Sequence, residues 1–321
     1  SQHTDKRTWV LGANYVGNQL SGDSIEKQDL SVLGAFAQLA LHRERWPEID
    51  LGVRVDQPAG FDVQVLPSAA AMYKASKQVT LRGNVGSGYQ LPDRSRNYGL
   101  ATQGVLASRT LKGTLAEGSF GGTAEWTWTK PLSEHTVLFI DQTFFATQVG
   151  HPLAIGTAEG NAVLLNPGGS TLTRGIDNYV RLKIDETEIY FGYTWTLPER
   201  TLNGLTALVP YTPQHRAATT LSHEFGEHWR AGVEASWSGA QDRGAGTKTR
   251  DQLFMAAMIG YKMGRWSAVL NGENITDTRQ TRWESIVSGT ASRPVFAPLW
   301  APIDGRIINL SILYQFGWMK K

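Results

Sequence analysis

The chain is 321 residues long, carries no cysteine and has a net charge of +2. This length allows a single all-β unit. The missing cysteines exclude a disulfide framework and any thiolate metal site, and the near-neutral charge gives no long-range pull on nucleic acid. Mean hydropathy is -0.28, and no run approaches the roughly 18 apolar residues of a membrane helix. A membrane β-barrel is compatible with that value, because its strands alternate apolar and polar residues. The opening Ser-Gln-His-Thr-Asp is not a secretory signal, so a mature, trimmed or truncated N-terminus is expected.

In chain order, alternation with period two predicts strands near 7–16, 30–42, 49–56, 61–73, 78–91, 111–129 and 136–147. It continues near 172–184, 188–196, 214–225, 229–238, 250–261, 265–274 and 305–316, which makes 14. In 49–56, Ile49, Leu51, Val53 and Val55 oppose Asp50, Gly52, Arg54 and Asp56. In 79–91, Val79, Leu81, Val85, Tyr89 and Leu91 are read as one face, against Thr80, Arg82, Asn84 and Gln90. In 229–238, Trp229, Ala231, Val233, Ala235 and Trp237 oppose Arg230, Glu234 and Ser236.

The connections alternate in length. One set is short: 43–48, 74–77, 130–135, 185–187, 226–228 and 262–264. The other is 17–29, 57–60, 92–110, 148–171, 197–213, 239–249 and 275–304, of which only 57–60 is brief. Tight turns at one end and long loops at the other are the outer-membrane pattern, with the short turns periplasmic. A soluble sandwich has no reason to segregate loop length in this way. The parity of 14 strands places the C-terminus on the periplasmic side. Trp126, Trp128, Trp195, Trp229, Trp237, Trp266, Tyr314 and Phe316 fall near strand ends or on the apolar face, where interfacial aromatic girdles belong.

Several stretches, in order, resemble the barrel of TonB-dependent outer-membrane receptors, with a Bacteroidota-like flavour. They are AFAQLAL (35–41), IDLGVRVD (49–56) and the run 65–93 ending on Gly86, Gly88, Tyr89 and Pro92. Further on come 119–153, TRGIDNYVRL (173–182) with Asp177 where Glu is usual, 209–225, NGENITDTRQT (271–281) and 300–316. The resemblance implies an all-β, antiparallel transmembrane β-barrel of about 14 strands over 1–316, expected to be the C-terminal portion of a 22-stranded parent, with a short tail at 317–321 and no plug domain. It implies TonB-energised uptake of a scarce nutrient, such as an iron chelate or cobalamin. The implied partners are outer-membrane lipid, the TonB complex through a missing N-terminal region, and a small-molecule ligand. A complete 14-stranded passive channel is the alternative; it requires the first strand to pair with the last.

No enzyme constellation stands out. GNVGSG (83–88) has a phosphate-loop rhythm but lies inside a strand with no helix after it. His215 and His223 are eight residues apart, about 26 Å along a strand, too far to share one ion. No metal, cofactor or catalytic group is expected. The residues singled out instead are charges on the polar face, expected to face the lumen and contact a plug or pair with each other: Arg54, Asp56, Arg82, Glu125, Asp177, Arg181, Lys183, Arg230 and Glu234. On the long loops, Tyr98, His151, Asn161, Tyr211, Trp283 and Trp300 are the candidate ligand contacts by the resemblance.

Overall fold

A computed structural model describes residues 6–22, 25–42, 47–92, 115–158, 161–244 and 246–316. The chain begins with β1 (Lys6–Val16), a hairpin of β2 (Gln19–Gly22) and β3 (Ile25–Asp29), then β4 (Val32–His42), β5 (Glu48–Pro58), β6 (Gln64–Lys74) and β7 (Val79–Gln90). Next come β8 (Glu117–Pro131), β9 (Thr136–Gly150), the hairpin β10 (Ala154–Ala158) and β11 (Asn161–Leu165), β12 (Ser170–Ile184), β13 (Thr187–Leu202) and β14 (Leu205–Leu208). The last part holds β15 (His215–Phe225), β16 (Trp229–Ser238), β17 (Asp242–Gly244), β18 (Thr247–Lys248), β19 (Gln252–Met263), β20 (Trp266–Glu273), β21 (Val287–Thr290), β22 (Arg293–Phe296) and β23 (Ile307–Tyr314).

Fourteen strands form one hydrogen-bonded path, β1-β4-β5-β6-β7-β8-β9-β12-β13-β15-β16-β19-β20-β23, and β14 pairs with β13 beside it. Each of the 14 segments read from alternation corresponds to one strand of this path. The ends of the path are β1 and β23; among the described residues β1 pairs with β4 and β23 with β20, so the closure that a complete 14-stranded channel requires is not seen.

Register puts like faces together. Across β15, β16 and β19, Leu221 aligns with Val233 and Ala257, while Thr220 aligns with Glu234 and Ala256. The branched and aromatic residues stack on one surface, and the polar ones on the other. The short turns use the left-handed backbone: Asp185 (φ 47), Gly226 (φ 62) and Gly264 (φ 58) turn the chain in two or three residues.

Three readings need correction. First, five long connections are not plain loops: four hold two-stranded hairpins (β2–β3, β10–β11, β17–β18, β21–β22), and in the fifth β14 folds back on β13. That extension makes β13 end at Leu202 rather than 196, through an Asn203–Gly204 turn with φ of 51 and 79. Second, β8 starts at Glu117, not 111; residues 111–114 lie outside the described residues. Third, Tyr89 does not stay with the apolar face of β7. Pairing of β6 with β7 runs from Lys74↔Thr80 to Ser68↔Gly86, and beyond it the Tyr89 hydroxyl donates to Asp56, on the polar face of β5 (3.1 Å). The Gly-Ser-Gly stretch before Tyr89 lets the chain leave strict alternation.

By contacts the chain divides into two compact units. The first is Ser1–Trp126, Thr143–Gly175 and Leu197–Val209; the second is Thr127–Gln142, Ile176–Thr196 and Pro210–Lys321.

Candidate functional site

The polar face of the first unit is organised around Asp56, which is 3 % exposed. Arg54, two residues earlier on the same face of β5, donates from Nε to the Asp56 carboxylate (2.9 Å) and from Nη2 to Asn14 Oδ1 on β1 (3.0 Å). Gly34 on β4 faces this pair, and a Cβ there would meet both side chains. Burying the carboxylate is tolerable because the guanidinium and the Tyr89 hydroxyl supply donors. On neighbouring strands Arg82 pairs with Glu125, and Asn84 with Thr123.

In the second unit the polar face gathers charges of both signs. Lys183 Nζ lies 3.8 Å from Glu188 Oε1, and Arg181 and Arg230 are near enough for their charge to act on the same carboxylate, which also accepts from the Tyr190 hydroxyl. Gly232 floors a recess of about 370 Å³ lined by Glu188, Tyr190, Arg230, Glu234 and Glu273. Asp177 accepts from Thr194 Oγ1 at 3.0 Å. The nine charges chosen from the sequence therefore fall into local sets. Asn14, Glu188 and Tyr190 were missed; the latter two lie on the polar parity of β13, which was legible.

The apolar face carries the aromatics. Trp229 contacts Tyr261 with ring centroids 4.5 Å apart, Trp266 contacts Tyr314 at 4.7 Å, and Tyr314 contacts Phe316 at 4.6 Å, all near the short turns. Lys130 Nζ sits 5.4 Å over the Trp128 ring. Trp237, at the other end of β16 from Trp229, donates to Asp251 (3.2 Å), and Trp195 lies opposite His215 in the register of β13 and β15. Trp126 shares the parity of Trp128, opposite Glu125. The eight steps from Trp229 to Trp237 span about 26 Å of strand, or about 20 Å of height at a tilt near 40°, which fits within the roughly 25 Å apolar band of outer-membrane barrels.

Among the long connections, those after β16 and β20 build a small polar core in the second unit. Gln280 is fully buried: its Nε2 donates to Glu284 Oε1 (2.8 Å) and Pro298 O (2.9 Å), and its Oε1 accepts from Trp300 N (2.9 Å). Arg243, from β17, grips Glu284 with two bonds (2.9 and 3.2 Å), and Trp300 Nε1 donates to the same carboxylate (2.5 Å). Burial raises the Glu284 carboxyl, but hydrogen bonds from Trp300, Arg243 and Gln280 outweigh it and leave the group below the usual carboxylate range. Arg243 is held above its ordinary value by Glu284 first and Tyr211 second. At the base, Asn274 (φ 47) receives Thr278 N on its Oδ1 (2.8 Å) and donates to Asp304 O (3.0 Å). Nothing in the local pattern of 274–306 announced this core, since its polar residues read as loop surface.

The loop candidates scatter. Trp283 and Trp300 stack, centroids 5.4 Å apart and 12° between planes, but Trp300 is only 8 % exposed, which leaves it little surface for a ligand. Tyr211 (φ 57) bonds through its N–H to Asp242 O (2.8 Å). His151 (φ 53) is exposed, and its carbonyl accepts from Asn166 (2.6 Å). Asn161 begins β11, and Tyr98 lies outside the described residues. Among the described residues no group of three or more His, Asp or Glu is placed to hold a metal ion; His215 meets Tyr193 (2.8 Å) and His223 meets Thr187 (2.7 Å).

One antiparallel sheet with an aromatic-edged apolar face, a charged opposite face, tight turns at one end and hairpin-bearing loops at the other defines an outer-membrane β-barrel of the receptor class. A family model described as TonB dependent receptor-like, beta-barrel, matches residues 2–275, and the chain belongs to that family. Solved structures agree on the fold. The siderophore receptor PirA from Acinetobacter baumannii matches at TM-score 0.74 and 14 % identity, covering 97 % of this chain and 52 % of its own. A mutant ferric enterobactin receptor from Pseudomonas aeruginosa in complex with enterobactin matches at 0.73 and 15 %, covering 97 % and 52 %. The FrpB iron transporter from Neisseria meningitidis matches at 0.70 and 12 %, covering 98 % and 53 %. The chain thus spans about half the length of the structures it matches. Identities this low bear on the fold and not on the bacterial group. No curated protein sequence matches the chain.

Proposed function

We propose that this chain is the barrel wall of a receptor that takes up an iron–siderophore complex across the outer membrane with energy from TonB. Family membership carries the reading, and the siderophore class comes from the similar structures, whose names speak of siderophores, enterobactin and iron. The long connections would meet the ligand outside, and the short turns and the C-terminus would lie in the periplasm. The charged sets around Asp56 and Glu188 would line the lumen and pair with whatever fills it, because charges of both signs on an enclosed face are stabilised by opposite partners. A cobalamin ligand has no observation in its favour.

Ferric enterobactin serves as the first probe. The test is growth of an iron-starved, receptor-deleted strain expressing the gene that encodes this chain, with and without TonB. TonB-dependent growth supports the proposal. Growth that persists without TonB marks a passive pore, and tight binding of cobalamin but of no iron chelate overturns the siderophore reading.

A further inference from the structure

The core built by the connections after β16 and β20 reaches a third connection, the end of the one between β13 and β15. Tyr211 makes the link: its N–H donates to the Asp242 carbonyl (2.8 Å), its hydroxyl is a hydrogen-bond partner of Arg243, and Pro213 bridges Gln241 beside it. Arg243 in turn grips Glu284 of the third connection with two bonds (2.9 and 3.2 Å). Gln241, 5 % exposed, and Gln252 both donate from Nε2 to the Trp300 carbonyl (3.3 and 2.7 Å). The roots of these connections lie on β13, β15, β16, β19, β20 and β23, which follow one another along the sheet.

Tyr211 is held at φ 57, a left-handed backbone that a bulky side chain adopts only under strain. Strain of this kind persists where the surroundings over-determine it. Here the surroundings are Asp242 and Arg243, which belong to the neighbouring connection. Freed from them, Tyr211 would return to the extended region and its amide would open to water.

The third connection also carries an arm. β21 and β22 pair only with each other, and every residue of both is exposed, Val287, Val295 and Phe296 among them. A two-stranded ribbon without a packed face is marginal by itself, so its position is set at its root. There Ala297 N donates to Ile286 O (2.9 Å), two residues after the Glu284 that Arg243 holds.

We infer that the three connections form one mechanically coupled body, in which displacement of the β21–β22 arm passes through Glu284 and Arg243 to Tyr211. The bonds above are a contiguous network of the kind that carries coupling. The inference rests on these contacts and not on the identity of the ligand.

Hydrogen exchange of the protein purified from outer membranes tests it, read at two amides: Tyr211, bonded to Asp242 O, and Trp300, bonded to Gln280 Oε1. Glu284→Gln perturbs the third connection and makes no contact with Tyr211, yet the Tyr211 amide should exchange about fivefold faster. Coupling is reciprocal, so Tyr211→Phe, which keeps the backbone bond, should speed the Trp300 amide by a similar factor. The Lys262 amide, bonded to His228 O in a short turn, is the control and should not change. Heat-modifiable mobility on gels confirms that both variants are folded. Acceleration confined to the substituted connection, or none at either amide, overturns the inference. The measurement needs no ligand, so it stands apart from the growth test of the siderophore reading.

Discussion

Within the second unit, the wall strands and the loop core after β16 and β20 are held together in opposite ways. In β16 the side chains are half-exposed on both faces, Val233 at 44 % for example, and the structure is a ladder of backbone bonds. In the loop core the backbone is irregular and side chains hold it: Gln280 is fully buried and Asn274 is 2 % exposed, each bonded through donor and acceptor. A strand in lipid has every backbone group paired by its neighbours, so its side chains need only match the solvent on each face. A loop in water has no such ladder, and becomes rigid only where polar side chains replace it. The wall should therefore tolerate change on its polar face and resist it on its lipid face. The loop core should be sensitive at single polar atoms.

The largest effect is expected at Gln280. Gln280→Leu strands the Trp300 amide, the Pro298 carbonyl and one contact of the half-buried Glu284 carboxylate, a local loss of about 3 kcal/mol. Hydrogen exchange across 274–302 should speed up roughly a hundredfold, with exchange in β16 unchanged; an unchanged loop would erase the contrast. Next is Val233→Arg, four residues from both Trp229 and Trp237 and so near the bilayer midplane. It should cost about 2 to 3 kcal/mol in refolding equilibria with lipid vesicles, against under about 0.5 kcal/mol for its polar-face neighbour in Glu234→Ala. Similar costs for the two would mean that the faces are misassigned. Tyr89→Phe removes the bond to Asp56 and should cost about 1 kcal/mol; no loss in the same assay would show that the Arg54 pair alone suffices.

Acid separates the regions further. The Glu284 carboxyl is held low in the fold, so its bonds stabilise the loop core above the ordinary glutamate value of about 4.3 and are lost as pH falls through the lowered folded value. Emission of the stacked Trp283 and Trp300 should shift below about pH 4 in the native chain. That pH dependence should disappear in Glu284→Gln; a shift that survives this change assigns the titration elsewhere.

The wall was legible because alternation is a local signal that repeats: Trp229 to Trp237 states its lipid face in one line of sequence, and register only confirms it. Strand ends were less legible. Nothing in 197–202 separates a loop from the continuation of β13, which is settled by its pairing with β14. Tyr89 misled because three small residues broke the parity before it. The loop core was not legible at all. A glutamine in a polar loop reads as solvated, and only partners at Trp300, Pro298 and Glu284, brought together by the fold, bury it. The charged pairs lie between: Arg54 and Asp56 share a strand face and could be paired by eye, whereas Arg82 and Glu125 meet only through the neighbouring of β7 and β8.

The function proposed above puts the hairpin-bearing connections outside the cell and the short turns in the periplasm. Thr290→Cys, in the β21 hairpin, and Ser133→Cys, in the turn between β8 and β9, test it with a thiol reagent that does not cross the outer membrane. Both positions are exposed, and the chain has no other cysteine. Labelling is expected at 290 in intact cells, and at 133 only after the outer membrane is permeabilised. Labelling at 133 in intact cells, or equal labelling of both, would contradict it.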